Sequence, residues 1–240
     1  MYLTIDIGNT RTKAAVFDRE GALIQIQIPE GDELKPLHEI ISSHAVQHVL
    51  VAATGKRGWT TDALRVPGKK MDLSYTLPLP VKLIYTTPHT LGHDRIAGAC
   101  GAHALFPDQT CLVVDVGTCM TFNVVTGEGL YLGGNIAPGL HMRLRAMHEQ
   151  TANLPLVPAA WPPLAIGDST THALQNGAAL GMVMEIEGMI KRVKNAFGTV
   201  SVVITGGDAS FLAEKLESEI FAEPELVVKG LFKILTFNVQ

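Results

Sequence analysis

The chain has 240 residues, 47% of them hydrophobic and 18% charged, with a formal charge of −4. That length suits one large domain or two small lobes with a real core, and the composition excludes a disordered chain. No basic block is present, so the clustered cationic footprint of a nucleic-acid binder is missing.

The N-terminus, Met1-Tyr2-Leu3-Thr4-Ile5-Asp6, lacks the basic and apolar regions of a signal peptide. No uninterrupted apolar run reaches the ~18 residues of a membrane span. A soluble, cytoplasmic protein with no membrane partner is therefore expected. Residues 2–7 read as a strand ending at Asp6-Ile7-Gly8-Asn9-Thr10. Residues 12–18 and 22–28 read as two more strands of an antiparallel meander, with turns at Asp18–Gly21 and after Ile28. A helix is expected at 33–44 and a buried strand at 48–53. Residues 54–80 show no pattern, broken by Gly55, Gly58, Pro67, Gly68, Pro78 and Pro80. A strand at 81–85 and a helix at 94–105 follow.

The pattern then restarts. Residues 111–116 form an apolar strand ending at Asp115-Val116-Gly117-Thr118, followed by strands at 119–125 and 129–132. Helices are expected at about 138–151, 170–197 and 209–217 and from about 229, with a strand at 201–205 running into Gly206-Gly207. The repeat of strand, Asp, Gly two residues later and a polar residue suggests a duplicated unit. It puts the boundary near residue 108, with lobes at 1–108 and 109–240. The three cysteines, Cys100, Cys111 and Cys119, form no CxxC and read as buried free thiols of a reducing compartment.

A glycine between two strands lets backbone approach a phosphate, and the adjacent N–H groups and the hydroxyls of Thr10 and Thr118 can donate to its oxygens. Asp6 stands where a carboxylate can hold a hydrated cation, and Lys13 can neutralise phosphate charge. One Asp-x-Gly is also an ordinary turn; two copies with Lys13 point to phosphate. Gly206-Gly207, Gly133-Gly134 and Pro138-Gly139 are either ligand-approach points or plain turns. Asp94, in Gly92-His93-Asp94-Arg95, is either a helix N-terminal acid or the carboxylate an alcohol kinase uses to accept a hydroxyl proton. Arg95 can pair with a substrate carboxylate. The histidines show no metal spacing. The P-loop and the protein-kinase motif set are both absent. Met182, Met184 and Met189 read as helix packing or a subunit interface.

In order, Asp6-Ile7-Gly8-Asn9-Thr10-Arg11-Thr12-Lys13, Gly92-His93-Asp94-Arg95, Asp115-Val116-Gly117-Thr118, Gly133 to Gly139 and Thr205-Gly206-Gly207 resemble the motifs of type III pantothenate kinases. The resemblance implies an α/β, duplicated ribonuclease H-like (actin-like ATPase) fold, with two lobes of mixed sheets and an interlobe cleft. It implies a homodimer that phosphorylates pantothenate with ATP in the first step of coenzyme A synthesis. It assigns Asp6, Ile7, Gly8, Asn9, Thr10, Arg11, Thr12, Lys13 and Thr118 to ATP, and Asp94 to the general base. Tyr85, Gly92, His93, Asp94, Arg95 and Thr170 fall to pantothenate, with Thr171 the neighbouring candidate for Thr170. Asp115 is assigned to a monovalent cation, K⁺ or NH₄⁺, and Asp6 to Mg²⁺ through water. Arg95 then pairs with the substrate carboxylate or with the transferring phosphoryl group. Many members carry a Gly-Pro-Gly stretch ahead of this motif; Tyr85 to Leu91 stands in its place here, so the resemblance carries over the phosphate site but not the details of the pantothenate pocket. A non-catalytic regulator, a kinase for another small alcohol and an ATP-driven switch are the competing readings. The last lacks the length for inserted subdomains.

Overall fold

The computed structural model describes residues 1–29 and 34–239. The chain forms two compact units. The first holds Met1–Asp108, Val125–Gly133 and Glu225–Gln240, and the second Gln109–Val124 and Gly134–Pro224. The C-terminal segment therefore packs with the first unit and not with the lobe that precedes it in sequence.

The first unit is built on a five-stranded sheet. Strands β1 (Tyr2–Ile7), β2 (Thr12–Phe17) and β3 (Leu23–Gln27) form the antiparallel meander, and β4 (His48–Ala53) lies parallel to β1. A short strand, β5 (Lys70–Asp72), completes the order β3-β2-β1-β4-β5. It lies in the stretch where sequence shows no pattern. With only three residues and partly exposed, it carries no apolar alternation to read. Helix α1 (Leu34–Ser43) covers one sheet face. Residue 33, expected in this helix, lies outside the described residues. Strand side chains alternate between faces, so Leu3, Ile5 and Ile7 join Leu37, Ile40 and Val49 in one apolar cluster under α1.

The opposite face of β1 carries Tyr2, Thr4 and Asp6, and that of β2 carries Lys13, Ala15 and Phe17. Helix α6 (Leu226–Val239) covers it, with Phe232 stacked on Phe17 at 4.6 Å and edge-on to Tyr2 at 5.6 Å. The α6 run of apolar residues begins at Leu226, three positions before the sequence expectation. Helix α2 (His93–Leu105) packs against α6 so closely that two glycines are required. A Cβ on Gly230 would stand 1.8 Å from the Ala97 carbonyl oxygen, and one on Gly101 2.7 Å from that of Leu226. The expected strand at 81–85 shrinks to β6 (Lys82–Leu83), parallel to the start of β9 (Leu130–Pro138) within this unit.

The second unit arranges its strands in the order β11-β10-β7-β8-β9. These are β7 (Thr110–Val116), β8 (Cys119–Val125), the later part of β9, β10 (Val200–Thr205) and β11 (Phe221–Ala222). Strand β10 runs parallel to β7 and to β11. Helix α4 (Thr170–Phe197) buries Leu174, Ala178, Met182, Ile186 and Ile190 at helical spacing against Leu112, Val114 and Phe122, and α3 (Leu140–Glu149) adds Leu140 and Leu144. Ser169 caps α4 by accepting the His172 N–H at 3.2 Å. Helix α5 (Ala209–Ala213) is shorter than expected. Gly133-Gly134, read from sequence as a turn or ligand approach, lies inside β9. A Cβ on Gly134 would meet the Phe122 carbonyl oxygen at 1.7 Å, so the glycine serves strand contact there. Cys100 and Cys111 are buried, and burial pushes both thiols up, Cys111 to about 11; Cys119 is only partly buried. No helix among the described residues is long and apolar enough to cross a membrane.

The α2–α6 contact sets an expected outcome. Gly230→Ala should lower stability by about 3 kcal/mol, because backbone must move apart. Gly188→Ala on α4, where nothing lies within 4 Å, should raise stability by up to about 1 kcal/mol. Urea denaturation midpoints of the two variants check both.

Candidate active site

The first Asp-x-Gly copy ends β1 and turns into β2. The Gly8 N–H donates to the Arg11 carbonyl at 3.1 Å, which closes the turn. Asn9, Thr10 and Arg11 are exposed at its tip, and Thr12 is buried. Ile7 belongs to the core, and its carbonyl accepts from the Thr54 and Gly55 backbone N–H groups at 2.9 and 3.0 Å. Its contribution to any ligand is thus limited to backbone. A Cβ on Gly55 would stand 2.3 Å from the Gly8 carbonyl oxygen. Thr54-Gly55 therefore seats the turn.

Asp6 faces the α6 side and pairs in register with Lys13 across the β1–β2 ladder. Its Oδ1 is buried and has no hydrogen-bond partner. Burial first, and then the nearby Asp94 carboxylate, raise the Asp6 pKa from 3.8 to about 6, while Lys13 pulls it down. The Lys13 ammonium lies 3.4 Å from Glu225 Oε2, with both side chains about a quarter exposed (24% and 27%).

Asp94 sits in the first turn of α2, where its Oδ1 accepts the Arg95 N–H at 2.9 Å. A Cβ at Gly92 would be 2.5 Å from that same oxygen, so the glycine leaves room for the carboxylate to fold back. His93 Nδ1 accepts the Ala53 N–H at 3.4 Å, and burial holds the imidazole below the ordinary histidine range. The neutral ring then carries its proton on Nε2 and can donate one hydrogen bond. Arg95 is 6% exposed, with its guanidinium 5.9 Å from the centre of the Tyr85 ring. Tyr85 is in turn 6.1 Å from Tyr131, fully buried in the same unit. Burial pushes the Tyr131 phenol up to about 12, although Arg95 opposes the shift.

The second copy, in the second unit, places Asp115 at the end of β7 and leaves Thr118 exposed in the turn. Here Gly206 approaches the repeat. At its φ of +101°, a Cβ would meet the Val116 carbonyl oxygen at 2.4 Å and Asp115 Oδ1 at 2.6 Å. Asp115 and a backbone carbonyl thus converge on one glycine. Nearby, His141 lies 3.8 Å from Asp208. Thr170 is exposed at the first turn of α4.

Asp6, Lys13, Tyr85 and the residues from Gly92 to Arg95 thus all belong to the first unit, and Asp115, Thr118 and Thr170 to the second. Three features escape sequence reading: Thr54-Gly55, Tyr131 and Glu225. Only the first left a trace, since Thr54-Gly55 follows β4 and Thr205-Gly206 stands at the end of β10, each strand being parallel to a repeat strand. The registers differ, with Asp6 opposite Ala52 and Asp115 opposite Thr205.

Two mixed α/β units, each with an Asp-x-Gly turn seated on a Thr-Gly loop, define the class: a protein of the duplicated ribonuclease H-like fold shared by sugar kinases and actin-like ATPases. A conserved Baf family protein from Campylobacter jejuni has this fold, with a TM-score of 0.63, 20% identity and coverage of 99% of this chain and 98% of that one. So has a ROK family protein from Streptococcus pneumoniae, with a TM-score of 0.54, 14% identity and coverage of 100% and 99%. The family model for type III pantothenate kinase matches residues 2–192. A type III pantothenate kinase from Bacteroides fragilis is 40% identical over 240 residues, 99% of this chain and 98% of that protein. The chain belongs to the type III pantothenate kinase family, whose members are phosphotransferases.

The raised Asp6 pKa gives a stability prediction. A carboxyl that holds its proton more tightly when folded stabilises the fold below pH 3.8 and loses that contribution as pH rises through about 6. Asp6→Asn should remove this slope. Near pH 7.5 the variant should be more stable than the parent by roughly 2–3 kcal/mol, and the gap should close near pH 4. Urea titrations at the two pH values check it.

Proposed function

We propose that this protein transfers the γ-phosphoryl group of ATP to the primary hydroxyl of pantothenate, giving 4′-phosphopantothenate and ADP in the first step of coenzyme A synthesis. Membership of the family supports the reaction. One observation carries the assignment of roles: the Asp94 carboxylate, at the start of α2, is near enough to Asp6 to help raise that group's pKa. An acceptor for a hydroxyl proton and a phosphate-side carboxylate thus lie within electrostatic reach of each other in the first unit.

In this reading the pantothenate hydroxyl donates its hydrogen bond to Asp94. As its oxygen bonds to the γ-phosphorus, the bond from that phosphorus to the β–γ bridging oxygen breaks. Asp94 takes the proton and ADP leaves with the bridging electron pair. The exposed Asn9-Thr10-Arg11 turn donates N–H and hydroxyl groups to phosphate oxygens, and Lys13 offsets their charge. Arg95, held beside Tyr85, pairs with the substrate carboxylate or the transferring phosphoryl group. His93 Nε2–H orients the acceptor. Catalysis is then positioning and charge neutralisation.

Two cations fit the residues present. The partnerless buried Oδ1 of Asp6 suits a contact to hydrated Mg²⁺ carried with ATP. Asp115, a half-buried carboxylate at the end of β7, is the oxygen donor that the resemblance gives to K⁺ or NH₄⁺; the Val116 carbonyl beside it already accepts the Asp208 N–H at 3.0 Å. Such ions supply positive charge that balances the nucleotide's negative charge. The resemblance assigns Thr118 to the nucleotide and Thr170 to the substrate. A homodimer is the expected assembly, consistent with Met184 on α4 being 64% exposed.

Asp94→Asn should reduce kcat on the order of 10²–10⁴-fold while ATP still binds. ADP release coupled to pantothenate, alongside nucleotide titration, measures both; turnover near the parent's would remove Asp94 as the base. Asp115→Ala should abolish stimulation by K⁺, measured as turnover against K⁺ concentration at constant ionic strength. An unchanged K⁺ response would place the cation elsewhere.

A further inference from the structure

Glu225 has no place in the motifs of the sequence or in the reaction as described, yet its carboxylate meets Lys13. Three observations define its setting. Lys13 leaves β2 on the same face as Ala15 and Phe17, the face covered by α6. Glu225 immediately precedes α6, with its carbonyl accepting the Lys229 N–H at 3.0 Å, and its Oε2 lies 3.4 Å from the Lys13 ammonium. The next residue, Leu226, is pinned by backbone contact, since its carbonyl sits against Gly101 of α2 with no room for a Cβ. Helix α2 is also the helix whose first turn carries Asp94.

We propose that Glu225 is a positioning residue for phosphoryl transfer, holding the Lys13 ammonium on the Asp6 face of the sheet, ready for a nucleotide phosphate. A lysine on four rotatable bonds loses substantial rotamer entropy when it fixes on a ligand. An ion pair made before the nucleotide arrives removes part of that loss from binding. Glu225 is the suitable anchor because α6 packs backbone to backbone on α2 at Gly101 and Gly230. The lysine that meets phosphate and the carboxylate that meets the hydroxyl are therefore referenced to one helix pair. The inference rests on the phosphate role of Lys13 given above.

A double-mutant cycle tests it. Glu225→Gln keeps the side-chain size and removes the charge. It should raise the KM for ATP about fivefold to tenfold while leaving the KM for pantothenate within about twofold. In a Lys13→Met background the same substitution should have no further effect on the KM for ATP. If Lys13→Met itself leaves the KM for ATP unchanged, the phosphate role of Lys13 falls, and the inference with it. If Lys13→Met raises it but Glu225→Gln does not, or lowers it, Glu225 is no positioner, and the Lys13 reading stands. Equal changes for both substrates, present also without Lys13 and accompanied by a lower Tm, would make Glu225 a helix-start acid only and overturn the inference. Should the Gln variant fail to fold, Glu225→Asp keeps the charge one methylene short. It should give an intermediate KM for ATP, and a parental value would overturn the inference.

Discussion

The contact between α2 and α6 constrains the first unit more than any other. Carbonyl oxygens of Ala97 and Leu226 occupy the space that side chains at Gly230 and Gly101 would need. Apolar packing alone allows helices to slide and repack at modest cost, but backbone pressed on backbone does not. The contact fixes where α2 begins over the sheet, and so where Asp94 stands. It also fixes where α6 begins, and so where Glu225 meets Lys13. A helix from the far end of the chain thereby becomes part of the framework of an N-terminal site.

Against that framework Asp6 is an electrostatic liability. Its carboxylate is buried on the polar face of β1, beside a second carboxylate, with one oxygen lacking any partner. Such a group costs stability whenever it is charged. Lys13, directly opposite in register, offsets part of the cost and leaves the rest uncompensated. An unmet buried oxygen of this kind marks a candidate functional position, since a bound group can supply the partner the fold leaves out. The same low-dielectric setting strengthens the interactions that a bound phosphate would make.

The two Asp-x-Gly copies share a backbone plan and differ in what surrounds it. In each, a glycine after the parallel neighbouring strand presses against a carbonyl of the turn, Gly55 against Gly8 and Gly206 against Val116. Seven residues after the first Asp stands Lys13; seven after the second stands Phe122, buried in the core under α4. The first copy thus gains a cation beside its carboxylate. At the second, Asp115 Oδ1 and the Val116 carbonyl lie nearest the approaching glycine. Duplicated turns have in this way become chemically unlike.

Period-two and helical patterns made most elements readable without coordinates, because burial of one face leaves its mark residue by residue. Strands β1, β2 and β4 and helices α2 and α4 fall within a residue or two of expectation. Two Asp-x-Gly copies with Lys13 pointed to phosphate by residue type and spacing, whereas Asp94 by itself read as a helix-start acid and took the role of proton acceptor only from the resemblance. Short edge strands such as β5 and β11 left no pattern, since partial exposure removes the alternation. Gly133-Gly134 lies in a strand and not in a turn, because a glycine demanded by a neighbouring strand looks the same in sequence as one demanded by a turn. Tertiary structure alone decided that α6 returns to the first unit, that Tyr131 lies behind Tyr85, and that Glu225 meets Lys13 across 212 positions of chain. Contacts of that kind depend on which face a distant segment covers, and no local pattern of side chains encodes it.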